Sequence, residues 1–261
     1  MEKIRQAAVA GMFYPADARQ LTVMVSGFLE EAQENGHRPK ALIAPHAGYI
    51  YSGPIAASAY ARLSGCARDI ERVLLLGPAH RVSVRGLATS SAEVFATPLG
   101  DVPVDTAAVQ EILSLPQVQL CDEAHSSEHS LEVHLPFLQT ICPGFRIVPL
   151  VVGQATIGEI AEVLEALWGG PETIVVVSSD LSHYHDYATA HALDAETAAA
   201  IERLDPEALR YDSACGRIPI RGLLQVARRH GLQAHTVDLR NSGDTAGPRD
   251  RVVGYGAFIF A

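Results

Sequence analysis

The stretch "KALIAPHAGYIYSGPIAASAY" (residues 40–60) sets the architecture. Residues 41–44 form a short apolar run with no polar face, the pattern of a strand covered on both sides. Pro45 stops the run, His46 and Gly48 follow, and two tyrosines precede an alanine-rich segment with helical character over 55–63. A buried strand that breaks into a turn and then a helix is half of a β–α unit. His46 is therefore either an ordinary turn residue or a ligand held out beyond the end of a sheet. Other parts of the chain bear on that choice.

Four further runs, 72–76, 146–152, 173–177 and 252–260, carry the same Val, Ile and Leu richness. Helical spacing marks 18–33, with Asp17 as its cap and Gly36 just past its end. It also marks 106–113, 131–141, 157–167, 188–203 and 220–230. Strands alternating with helices predict an α/β fold with a mostly parallel central sheet covered by helices on both faces. Residues 90–104 read as a hairpin or an edge strand. No repeat, low-complexity tract or linker divides the chain, so one domain is expected over residues 1–261.

Composition narrows the function classes. A chain of 261 residues, 48% hydrophobic, is globular. Its net charge of −10 argues against a broad nucleic-acid surface, which needs a basic stripe. No apolar run reaches the length of a membrane span, and the N-terminal stretch lacks the apolar centre of a signal peptide. The four cysteines are widely spaced with no CxxC pair. A cytoplasmic location with reduced thiols is the expectation.

The polar residues that follow the strands carry the functional argument. The first strand runs into Pro45 and His46, the second into Pro78, Ala79 and His80, and the fourth into Ser178, Ser179, Asp180 and then His183. In open parallel sheets, ligands bind at that edge. One histidine in a turn means little; three strand ends delivering His or Asp suggest a common site. Asp180 either caps a following helix or supports that site. His185 and His191 lie among charged residues and read as solvated. In "DEAHSSEHSLEVHLPFL" (122–138), the His125/His129 and Glu128/Glu132 pairs are four apart, as on one helix face, but match no zinc signature. The segment reads as supporting the site or facing a substrate, with His134 partly buried. In "YDSACGRIPIRGLL" (211–224), Cys215 precedes a helix start, which predicts a lowered thiol pKa. The other three cysteines read as buried apolar residues.

Together these strings resemble the MEMO family, known in prokaryotes as AmmeMemoRadiSam system protein B. The stretches that carry the likeness are "GMFYPA" (11–16), "APHAGYIYSG" (44–53), "LGPAH" (76–80), "EHSLEVHLPF" (128–137), "PLVVG" (149–153), "VVSSDLSHY" (176–184), "CGRIPI" (215–220) and "NSGDTAG" (241–247). They run in order along nearly the whole chain. The resemblance implies a fold like that of the class III extradiol (LigB-type) dioxygenases, which use non-haem Fe(II). It implies a metal held by His46, His80 and Cys215, with His183 as an acid–base group or fourth ligand. Asp180, Tyr51 and Phe13 would line the same pocket, although some members carry Trp at position 13. It also implies AMMECR1-like and radical-SAM partner proteins, of which this chain would be the separate Memo-like component.

The chemistry that would follow is a dioxygenase-like reaction on a small, catechol-like molecule. His183 would move the proton and His129 or His134 would bond a substrate oxygen. Phe13, Tyr14 and Tyr51 would cover its ring. A thiolate in place of the usual carboxylate ligand brings Cu or Zn into contention beside Fe(II). Three other readings stay open. One is a metal- or redox-binding or adaptor protein without turnover. Another is a zinc-type hydrolase. The weakest is a Cys215–His183 nucleophile pair.

Overall fold

The structure is a computed structural model that describes residues 3–32 and 38–261. Gln33 and Gly36, the expected end of the first helix and the glycine beyond it, lie outside the described residues. The strands are β1 (Ile4–Arg5), β2 (Ala41–Ala44), β3 (Arg72–Pro78), β4 (Leu87–Thr89), β5 (Val94–Thr97), β6 (Gly100–Pro103), β7 (Val118–Leu120), β8 (Arg146–Val152), β9 (Thr173–Ser178), β10 (His183–His185), β11 (Ala234–Asn241) and β12 (Val252–Phe260). The helices are α1 (Ala18–Glu31), α2 (Tyr49–Tyr60), α3 (Thr106–Ile112), α4 (Asp122–Ser126), α5 (Leu135–Ile141), α6 (Ile157–Ala166), α7 (Tyr187–Glu202) and α8 (Arg217–Arg229).

The main sheet runs in the order β10-β12-β2-β9-β3-β8-β4-β7, with β11 also paired to β12. Its central four strands, β2-β9-β3-β8, are all parallel and buried along almost their whole length. This is the α/β sheet that the apolar runs predict. Antiparallel pairing enters at the flanks, where β12 meets β2, β10 and β11, and where β4 meets β8. The expected hairpin is present as β5–β6, but it belongs to a separate three-stranded sheet with β1.

Helix α2 starts at Tyr49, six residues before its expected start, with Gly48 as N-cap and Pro54 inside it. Proline removes only one backbone bond there, from the turn at Ile50, which is exposed and can be served by water. Helix α6 has a full capping box, Thr156 with Glu159. His125 and His129 do not share a helix face: α4 ends at Ser126, and a 3-10 turn over Glu132–His134 leads into α5. None of the described helices is long and apolar enough to cross a membrane.

Candidate metal centre

Three neighbouring parallel strands end side by side, and each hands over a polar residue. Ala44 of β2 is in register with Ser178 of β9, and Leu76 of β3 with Val177. Beyond those ends come His46, Asp180 and His80. The site therefore follows from topology: parallel strands put their carboxyl ends at one edge, and β9 lies between β2 and β3. Cys215 comes from the turn before α8. Its N–H donates to the Asp180 carbonyl at 3.2 Å, which ties that turn to the end of β9. Gly216 is needed there: a Cβ would lie 2.5 Å from the Ser178 carbonyl oxygen. Gly77 does the same for the facing segment, since a Cβ would sit 2.8 Å from Ser130 Oγ.

The tautomer of His46 is set by a hydrogen-bond chain. Ser178 Oγ donates its only proton to the Ser130 carbonyl at 2.6 Å. Against His46 Nδ1, also 2.6 Å away, it can then only accept. Nδ1 thus carries the proton and Nε2 keeps its lone pair. Burial, with His80 and His129 close by, holds the His46 pKa well below its ordinary value, so the ring stays neutral. His80 is held in the same way: its Nδ1 lies 2.9 Å from Glu128 Oε1 and its backbone N–H donates to Glu128 Oε2 at 2.6 Å. His80 and its backbone neighbours draw the Glu128 pKa down to about 2 despite burial, so it is an acceptor only. Both rings therefore turn Nε2 away from their supports, the orientation that metal-ligating histidines adopt.

The donor atoms of His46, His80 and Cys215 lie within 4.8 Å of one another. Cys215 Sγ is 3.4 Å from His46 Nε2 and accepts the Asp180 N–H at 3.2 Å. The lowered thiol pKa expected at this helix start is not found. Burial, reinforced by Asp180, pushes the thiol up to about 12, outweighing the backbone donors around it. A cation at the sulfur reverses that balance, because a coordinating thiol is deprotonated. Asp180 is no helix cap. It is buried, accepts the His46 N–H at 2.8 Å, and reaches to 4.0 Å from His46 Nε2. Burial raises its pKa, against the opposing pull of the His46 N–H and the surrounding histidines.

A second cluster, His80, Glu128 and His129, also meets the distance criterion for a cation. Glu128, however, spends both oxygens on the His80 ring and on the backbone N–H groups of His80, His129 and Ser130. That makes it an orienting group for His80.

A cleft of about 620 Å³ opens over this edge, lined by Phe13, Tyr51, His46, His80, His129, Asp180 and His183 among others. The His129 ring stacks on His80 at 4.7 Å and meets Phe13 at 4.7 Å. Cys215 faces a neighbouring hollow of about 460 Å³ together with His185, and His183 borders both spaces. Two expected cleft residues are elsewhere. His134 is fully buried and outside the cleft lining, with Nδ1 2.8 Å from the Tyr60 hydroxyl. Tyr14 is buried rather than at the entrance, and its hydroxyl donates to Glu132 at 2.5 Å.

Glu132 drew notice in the sequence only for its spacing from Glu128, yet it organises the cleft wall. It is fully buried and accepts from Arg5, the backbone N–H groups of Ala8 and Val9, and Tyr14. That fixes the N-terminal segment so that the Phe13 carbonyl accepts the Tyr49 N–H at 2.7 Å and the Phe13 ring reaches His129. Ser178 was named only as one of the residues that follow the fourth strand, with no role. Only its contact with His46 reveals its part.

Comparison with known proteins speaks to the family and the fold. The family described as Memo-like protein matches residues 5–259. A MEMO1 family protein of Aeropyrum pernix is 38% identical over 280 residues, covering 98% of this chain and 99% of its own. One from Aquifex aeolicus is 35% identical over 269 residues, covering 99% of both. Among solved structures, an uncharacterized protein from Escherichia coli K12 shares the fold. Its TM-score is 0.57 at 12% identity, over 84% of this chain and 98% of that one.

Proposed function

Since the chain belongs to the Memo-like protein family, we propose that it is a metal-dependent, dioxygenase-like oxidoreductase whose ion is held by His46, His80 and Cys215. The observation that carries this reading is the pair of held rings. Ser178 and Glu128 occupy both Nδ1 atoms, and the remaining donors converge with a sulfur to within 4.8 Å. The family resemblance puts Fe(II) first, and two imidazoles with one thiolate also suit Cu or Zn. When bound, such an ion would supply open positions for a diol and O₂.

The chain's own residues do the rest. His183 borders the cleft and takes or returns a diol proton at a ring nitrogen. Asp180 fixes the His46 turn by accepting its backbone N–H on the buried carboxyl. Phe13 and Tyr51 flank the substrate body, and the His129 ring bonds a substrate oxygen. AMMECR1-like and radical-SAM partners belong to the same proposal, and co-purification tests them. Oxygen uptake by the Fe(II)-loaded protein with a panel of catechols tests the activity. Diol-dependent uptake that falls in His183→Ala supports it. Metal binding with no uptake for any diol favours a metal-holding protein, the reading that the soft thiolate donor also suits.

A further inference from the structure

The cleft has a charge pattern that the metal-centred chemistry does not use. Arg81 and Arg251 line it, from the turn after β3 and from the residue before β12. Both are exposed. Among the described residues neither meets a carboxylate: Arg251 lies over the Tyr184 ring at 4.6 Å, and Arg81 makes no ion pair. Among the described residues Asp180 is the only acidic one in the lining, and it is 5% exposed, with its backbone-bonded carboxyl turned to His46. So the mouth of the cleft carries net positive charge on a chain whose total is −10. Such a local reversal focuses an anion into the cleft, while the surrounding negative charge disfavours a dense polyanion. Phe13, Tyr51 and Tyr255 line the same cleft as the histidines, with the Phe13 ring 4.7 Å from that of His129, and offer faces suited to a flat apolar body.

We propose that the cleft takes a small aromatic carboxylate, with Arg81 and Arg251 binding its carboxylate at the mouth and the ring lying among Phe13, Tyr51 and His129. This names the substrate class of the same site and rests on the reading above. Arginine suits the role because its planar fork matches a carboxylate, and both side chains have unspent donors. They are recognition groups and take no part in holding the metal.

The test compares benzoate with benzamide, its neutral isostere, by calorimetry at low salt on the metal-free and the metal-loaded protein. Benzoate is expected to bind roughly tenfold or more tightly than benzamide in both forms. The preference should shrink in Arg81→Gln and in Arg251→Gln, vanish in the double variant, and weaken as salt rises. Both positions are exposed, so the variants should keep the wild-type melting temperature, which is checked. Equal binding of the two probes by the wild type overturns the proposal. So does a preference that survives in the double variant, because the anion is then held elsewhere. A preference for benzoate in a protein that binds no metal leaves this proposal standing and removes the metal reading instead.

Discussion

Glu128→Gln changes one atom and removes the support of His80. In the wild type, Oε1 accepts the His80 ring and the N–H groups of His129 and Ser130, each at 2.9 Å, while Oε2 accepts the His80 N–H at 2.6 Å. A glutamine keeps one carbonyl oxygen. Whichever way the amide turns, its NH₂ faces at least one buried donor. Hydrogen bonds to a charged group are worth about 1.5–3 kcal/mol each, and the donor–donor clash adds to the loss. The drop of the Glu128 pKa from its ordinary 4.5 to about 2 gives a matching figure, on the order of 3 kcal/mol at neutral pH. The sign follows from the lowered folded value: the contribution is complete above pH 4.5 and lost as pH falls toward 2. Urea unfolding of the metal-free proteins should therefore show a gap of about 3 kcal/mol at pH 7 that narrows below about pH 4. Metal affinity should fall roughly 10–100-fold, since the His80 ring loses the partner that fixes its tautomer. A variant within 1 kcal/mol of wild type at pH 7, with unchanged metal affinity, would refute this account of Glu128.

Ser178→Ala removes the acceptor of His46 Nδ1 and the donor to the Ser130 carbonyl. It should cost about 1–3 kcal/mol of stability and roughly 10–100-fold in metal affinity, read by denaturation and chelator competition. Glu132→Ala leaves Arg5, two backbone N–H groups and the Tyr14 hydroxyl without their acceptor. A loss of about 3–5 kcal/mol is expected, with faster hydrogen exchange at the Ala8 and Val9 amides than at the β3 amides. His125 and His134 are buried neutral, with burial taking their pKa values down to about 4 and about 3. The unfolded chain therefore binds protons first, and stability falls as pH drops from about 6.5, by on the order of 2 kcal/mol for each ring at pH 5. A melting temperature that stays flat between pH 7 and pH 5 would contradict this.

Much of the sheet was legible because fully covered parallel strands must be apolar on both faces, and few other segments look alike. The runs at β2, β3, β8, β9 and β12 stand out for that reason. Strand β11, "AHTVDLRN", did not stand out, because its middle carries charged and half-buried residues. The histidines after β2 and β3 were legible as strand-end residues. The order of strands was not, so the neighbourhood of His46, Asp180 and His80 was an expectation until β9 proved to lie between β2 and β3. Cys215 was marked by its flanks and by family resemblance, but its burial was not. A helix start suggests a stabilised thiolate only if the sulfur stays solvated, and here it does not. The supporting contacts of Ser178 and Glu132, and the places of Arg81 and Arg251 in the cleft lining, were hidden for another reason. A serine, a glutamate or an arginine is common anywhere on a surface, and only a long-range contact or a shared cleft gives it a role. Tyr14 and His134 show the converse, since residues near a motif in sequence can face the core.

The most direct test of the shared centre is anaerobic metal stoichiometry, with Fe(II) and with Zn(II), for the wild-type chain and for His46→Ala, His80→Ala and Cys215→Ala. The geometry predicts one tightly bound ion in the wild type. Each variant should lose it while keeping the wild-type circular dichroism, and Cys215→Ala should weaken Zn(II) more than Fe(II) because it removes the soft donor. Wild-type binding that persists in all three variants would contradict the account, and the two strand-end histidines and the cysteine before α8 would then owe their proximity to the fold alone.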